Sequence, residues 1–178
     1  AGRILVSRAS GSVSFPARFL LIAAMNPCPC GYDGHPTRAC LCSPLQARKY
    51  RARVSGPLWD RIDLHVEMAP ISFSEFASEP ASACESSACV RERVLRARKI
   101  QETRFAGSRT LFNARMTPRQ RRTHCRLDEA GQTLLEKAMD RFGFSARSLD
   151  RLLRVARTLA DMEDAEHIKR EHLMEAVQ

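Results

Sequence analysis

The chain has 178 residues and a mass of 20.0 kDa, enough for one sizeable core or for a medium layer with a small appended domain. Its 29 Lys and Arg against 20 Asp and Glu leave a formal charge of +9, which suits a phosphate-rich partner such as ATP or nucleic acid and equally suits a solvated basic surface. The longest unbroken apolar run, residues 19–25, is too short to span a bilayer, and the chain does not open on a basic, apolar, cleavable leader, so a cytoplasmic protein with no membrane partner is expected.

Residues 3–7 alternate, with Ile4 and Val6 on one face; Ser10-Gly11-Ser12 reads as a turn and residues 13–15 resume the extended pattern, which predicts a hairpin. After Pro16, the apolar run at residues 19–24 predicts a strand buried on both faces of a parallel sheet, with Asn26 just past its carboxyl end, where ligands gather in open α/β sheets. A basic helix over residues 46–53 and a short turn or helix from Pro57 follow, then an alternating, half-buried strand over residues 62–68. Residues 76–87, rich in Ser, Ala, Glu and Pro, predict the least ordered internal stretch.

Beyond it everything reads as helix. Residues 88–105 carry a narrow seam at Val90, Val94, Ala97 and Gln101, and Thr117-Pro118 starts a further helix. Asp128 caps a helix that runs to Phe142 and stops at Gly143. Ser145 opens a helix with Leu149, Leu152, Leu153, Ala156 and Leu159 on its apolar face and Arg147, Arg151, Arg154 and Arg157 on other faces; Leu173, Ala176 and Val177 mark a last helix. A helical bundle is expected from about residue 114.

Seven cysteines are an odd number, and four sit in two Cys-x-Cys pairs, Cys28/Cys30 and Cys40/Cys42, which argues against a disulfide framework. Four thiolates on a loop with Gly31, Gly34 and His35 can bind zinc tetrahedrally in a structural site; a metal-free loop with small packed side chains is the other reading of the same residues. Cys84, Cys89 and Cys125 lie in no motif. No glycine begins a Gly-x-x-x-x-Gly-Lys-Ser/Thr phosphate loop, and the Asp128-Glu129 pair stands at a helix start instead of a strand end.

The stretch Ala23-Ala24-Met25-Asn26-Pro27-Cys28-Pro29-Cys30-Gly31, the second pair Cys40/Cys42, and Ser55-Gly56-Pro57-Leu58-Trp59-Asp60-Arg61-Ile62-Asp63-Leu64 together resemble the magnesium-chelatase-like AAA+ ATPases of the ComM or YifB type. The resemblance implies an α/β fold: the carboxyl-terminal strands and hairpin of a P-loop ATPase core over residues 1–113, then an all-helical lid over residues 114–178. It covers only the second half of that module, so the phosphate loop and acidic strand-end motif are expected upstream. It also implies roles: Asn26 as sensor 1, Arg61 as an arginine finger acting on a neighbour's γ-phosphate, and Arg147 as sensor 2 on the lid. Without the resemblance, Asn26 reads as a turn residue and Arg61, between Asp60 and Asp63, as a surface ion pair.

ATP and Mg²⁺ would be the cofactors of the full-length protein, a homo-oligomeric ring, a hexamer, its assembly, and Arg8 near the hairpin tip a DNA-phosphate contact. The implied activity is that of a DNA helicase or branch-migration ATPase in natural transformation or recombination, with this part inactive alone. The alternatives are a chelatase-type motor subunit acting through a protein partner, or a non-catalytic regulatory domain.

Overall fold

The computed structural model describes residues 2–70 and 85–177. The chain divides into two compact units, Ala1–Trp59 and Asp60–Gln178. In the first, β1 (Arg3–Arg8) pairs antiparallel with β2 (Gly11–Pro16), Ile4 opposite Phe15 and Val6 opposite Val13. The ladder runs further toward the tip than the Ser10-Gly11-Ser12 pattern suggests: Ala9 and Ser10 alone make the turn, and Gly11 already pairs with Arg8. Gly11 takes φ +135°, a backbone that side chains disfavour, and so frees the flanking residues for regular pairing. Arg3 Nε donates to Ser14 Oγ at 2.9 Å, and the Ser7 and Ser12 hydroxyls meet at 2.8 Å. Both expected termini of the ladder are tied, since Ala17 N–H reaches Gly2 O.

The two further strands are not formed. Residues 19–24 and 62–68 carry no ladder, and Leu20 and Ile22 are 85% and 84% exposed. A parallel strand exists only through the neighbours that satisfy its N–H and C=O groups, and among the described residues β1 and β2 are the only paired strands. The apolar run therefore specifies a side-chain pattern without the partners that would turn it into sheet. After the cysteine loop, α1 (Pro44–Arg51) begins on a capping box: Ser43 Oγ accepts Gln46 N–H while Gln46 Oε1 accepts Ser43 N–H. α2 (Gly56–Trp59) follows as one turn.

The second unit is helical: α3 (Ser87–Arg104), a 3-10 turn (Asn113–Arg115), α4 (Pro118–His124), α5 (Glu129–Phe142), α6 (Ala146–Met162) and α7 (Arg170–Val177). Four of these starts are fixed by a side chain, three of them, Thr117, Asp128 and Ser145, at the expected place. Ser86, Thr117, Asp128 and Ser145 accept the N–H of the residue three further on, and Gly143 closes α5 in the left-handed region at φ 63°. The linker expected over residues 76–87 lies outside the described residues up to 84; its end supplies the cap Ser86.

α6 is the central helix, packed against α3, α4, α7 and the 3-10 turn, while α5 packs on α7. Leu152, Ala156 and Ala160, one turn apart, meet Phe105, Met116, Cys125, Leu135, Ile168 and Leu173 in one core. Small residues on α6 let its neighbours approach, and Leu135 and Leu173 of the other helices, with Phe105 just after α3 and Ile168 just before α7, bring the apolar area, about 1.5–3 kcal/mol for each fully buried side chain. Only half of the α3 seam is covered: Ala97 and Gln101 are buried, while Val90 and Val94 remain partly exposed.

Arg157 is not on an outer face, as its place in the α6 pattern suggests, but buried in this core. Its guanidinium meets Asp161 one turn on and donates to the Glu166 and Ala165 carbonyls beyond α6. Asp161 also receives Arg104 and the Asn113 amide, the latter at 2.7 Å. Two cations converge on one carboxylate with carbonyl and amide partners, which is how a buried charge is tolerated.

Candidate functional site

The cysteine loop is built from tight turns. Gly31 N–H bonds to Cys28 O and His35 N–H to Tyr32 O, and Gly31 and Gly34 hold φ of 83° and 80°, which glycine alone takes readily. These turns aim backbone N–H groups at sulfur: those of Asp33 and Tyr32 toward Cys28, of Tyr32 and Leu41 toward Cys30, of Cys42 toward Cys40, and of Cys30 toward Cys42. Cys28 is fully buried. Outside the sulfurs, Arg38 lies over the Tyr32 ring and donates to its hydroxyl at 2.9 Å, while His35 Nδ1 accepts the N–H of Thr37 and Arg38. Asp33 pairs with Arg51 of α1 at 3.4 Å.

The four sulfurs fit a metal ion. Cys28 Sγ lies 3.3 Å from Cys30 Sγ and 3.6 Å from Cys40 Sγ, Cys30 Sγ lies 3.5 Å from Cys40 Sγ, and all four atoms fall within 4.8 Å of one another. Tetrahedral zinc at its usual bond length of about 2.3 Å sets its thiolates about 3.8 Å apart, whereas a disulfide needs about 2.0 Å. The described cysteines are free thiols, Cys28, Cys30, Cys40 and Cys42 among them. N–H groups of Tyr32 and Leu41 lower the Cys30 thiol to about 6, whereas at Cys40 the N–H of Cys42 is outweighed by burial and by the neighbouring sulfurs, and the thiol rises to about 12. Four clustered sulfurs cannot all ionise without a cation to share their charge. With four protein ligands such an ion is structural, leaving no position for substrate.

A second constellation gathers at the start of α6. Arg147, in its first turn, forms an ion pair with Asp60 at 3.6 Å; Ser148 Oγ donates to Asp60 Oδ1 at 3.2 Å. Arg151, one turn on from Arg147, donates through one nitrogen to Asp60 O at 3.0 Å and Ile62 O at 2.8 Å. Residues 60–62 are thereby held on α6, and Arg61, itself exposed, sits between the two carbonyls. Two of the expected nucleotide-sensing residues, Arg61 and Arg147, thus belong to one local cluster. Sequence spacing assigns Arg151 no contact, and the signal for it was partial: a cation at i+4 from Arg147 on the same helix face.

Asn26 is exposed at the end of the unpaired stretch, two residues before buried Cys28. Arg8 ends β1 next to the two-residue turn, near the hairpin tip as expected. Cys125 is a core residue whose thiol burial pushes up to about 11. No helix among the described residues is long and apolar enough to cross a membrane.

Comparison with known proteins gives the family. The family described as magnesium chelatase, subunit ChlI, matches residues 1–76, and that described as magnesium chelatase, subunit ChlI C-terminal, matches residues 84–178. Across 177 residues, 99% of the chain, it is 43% identical to the uncharacterized protein YifB of Salmonella typhimurium and 41% identical to the competence protein ComM of Haemophilus influenzae. The chain belongs to the magnesium-chelatase-like AAA+ family of the ComM and YifB type. It spans 33% of the length of those two relatives, and it is 38% identical over 161 residues to the uncharacterized protein Rv2897c of Mycobacterium tuberculosis.

Proposed function

We propose that this chain is the nucleotide-sensing, carboxyl-terminal part of an AAA+ motor ATPase, using ATP and Mg²⁺ in the full-length protein and working as a ring, with Arg61 supplied to the neighbouring subunit's site. Asn26 orients the attacking water, since an amide both donates and accepts, and Arg147 reads the nucleotide from the helical lid. Functionally, the core then runs through residues 1–113 and the lid through 114–178. The observation that carries the reading is the cluster at the start of α6, which joins Arg147 to the Arg61 turn through Asp60. A planar guanidinium suits the arginine-finger task because its fixed fork matches the oxygens of a transferring phosphoryl group.

The Cys28, Cys30, Cys40 and Cys42 array holds a structural zinc ion in this proposal. Its support is the sulfur spacing and the N–H groups directed at the thiolates.

Family membership favours a chelatase-type motor that passes its motion to a protein partner. A second reading, a DNA helicase or branch-migration ATPase with Arg8 on phosphate, draws on charge: residues 88–126 hold twelve Lys and Arg against two acidic residues. DNA that stimulates ATP turnover several-fold would favour this second reading, and a flat response the first.

The test is an ATPase assay. The 178-residue chain alone should not turn over ATP, since it has no phosphate loop among its residues. In the intact protein, Arg61→Ala should lower kcat by about a thousandfold while nucleotide binding persists. In mixed assemblies the loss should fall on the neighbour's site; a variant that impairs only its own site overturns the finger assignment.

A further inference from the structure

Arg151 has no role in the sensing scheme, yet its contacts are specific. It is only partly exposed, and its terminal nitrogen donates to the backbone carbonyls of Asp60 and Ile62, the residues on either side of Arg61. A backbone carbonyl held by a guanidinium forms a charge-assisted hydrogen bond, roughly twice as strong as a neutral one. Two such bonds on residues 60 and 62 fix the peptide planes that set where the Arg61 side chain leaves the backbone. The Asp60 side chain is fixed independently by Ser148 and Arg147. Three residues of the first two turns of α6 therefore grip this turn, and that end of α6 is itself secured, because Ser145 caps it.

We propose that Arg151 is a positioning residue that locks the Arg61 turn onto α6, so that Arg147 and Arg61 move as one rigid element. The consequence rests on the reading of Arg61 as a finger: the helix that senses one subunit's nucleotide also aims the finger at the next subunit's nucleotide. Neighbouring sites are then coupled through α6 without a longer relay. Arg147 and Arg151 divide the work. Arg147 is mostly exposed and held by one ion pair to a half-exposed carboxylate, so it can exchange Asp60 for a phosphate, while Arg151, committed to two carbonyls, keeps the turn in place during that exchange.

The test compares Arg151→Met, which keeps an aliphatic stem and removes the donors, with wild type in two measurements. In the 178-residue chain, hydrogen exchange at the amides of residues 60–63 should quicken in Arg151→Met while amides in α5 and α7 keep their protection. In the intact protein, Arg151→Met should lower kcat for ATP about tenfold to a hundredfold with KM little changed, because misplacing a reacting group by about an ångström has that cost. The Arg61→Ala, Arg151→Met double variant should be no slower than Arg61→Ala alone. Unchanged exchange at residues 60–63 overturns the lock. If exchange quickens and Arg61→Ala turns over ATP normally, the lock stands and the finger reading fails. If exchange quickens, Arg61→Ala is slow, and Arg151→Met turns over at the wild-type rate, the lock exists but does not position the finger, and the proposal is overturned.

Discussion

Asp161 is the carboxylate on which the buried charges of the helical unit converge. It is fully buried, and it faces Arg104, Arg157 and the Asn113 amide together. Replacing it by Ala leaves two guanidiniums with no carboxylate in a region that excludes water. The expected loss is about 3–5 kcal/mol, read as a lowered midpoint in urea unfolding. Asp161→Asn should lose less, since an amide oxygen still accepts from both cations.

His124 adds a pH dependence from the same region, because burial lowers its pKa and the Arg104 and Arg157 charges lower it further against a smaller pull from Asp161. A histidine lowered in the folded state is more readily protonated in the unfolded chain. Between its folded pKa and the ordinary value of 6.5, the unfolded state binds more protons, so its contribution to stability is full above 6.5 and declines as pH falls through the folded pKa. Unfolding midpoints measured from pH 8 to 5 should fall on acidification, and His124→Gln should flatten that slope.

At the scale of elements, Gly131 shows packing overruling propensity. A Cβ there would stand 3.2 Å from Leu173 Cδ1 and 3.0 Å from Asp128 Oδ1, the oxygen that caps α5 by accepting the Gly131 N–H. Ala in a helix is favoured over Gly by about 1 kcal/mol, yet Leu173 is buried to 1% exposure and has little room to yield. Gly131→Ala should therefore destabilise the protein, by about 1 kcal/mol net in thermal or urea unfolding. A stabilised variant would mean that the α5–α7 contact is looser than it looks.

The same elements show what the amino-acid order makes visible. Helix starts and stops are local chemistry: Thr117-Pro118, Asp128 and Gly143 each act within four residues, and all three fall where the pattern puts them. Strands at residues 19–24 and 62–68 depend on partners elsewhere in a chain, and a run of apolar residues carries no information on whether they are present. The cysteine array was legible because four ligands lie within fifteen residues, and the spacing bounds their reach. Arg151 and Arg157 were not, since Arg151 finds its acceptors in backbone carbonyls and Arg157 two of its three there, and a carbonyl has no letter of its own in the sequence. Asp161, one turn beyond Arg157, was a visible hint at burial; Arg104, far away in the chain, completes the pair only through the fold.

At the scale of the whole molecule, the two units rest on different kinds of stability. The unit formed by Asp60–Gln178 has an extended core of Leu, Ile, Phe, Met and small residues around α6. Among the described residues of Ala1–Trp59 only Cys28 and Ala47 are buried apolar residues, which at about 0.8 kcal/mol per buried methylene supplies little against the entropy of ordering a loop of glycines and prolines. The structural zinc proposed for the Cys28, Cys30, Cys40 and Cys42 array would contribute about 10–16 kcal/mol of binding free energy that is also folding energy, enough to dominate this unit. Protein purified without added metal should carry close to one zinc per chain, and loading the metal-free form should release protons from the four-thiol cluster, which cannot be fully ionised without a cation. Chelation should then open residues 28–42 to protease while the helical circular dichroism and the main thermal transition stay in place, and Cys40→Ser should reproduce that pattern without chelator. A chelator that lowers the main transition as much as it exposes the loop would mean that the metal supports both units. If no metal is found and the four-serine variant resists protease as wild type does, neither a metal nor the sulfurs hold the loop, and its packing and backbone turns do.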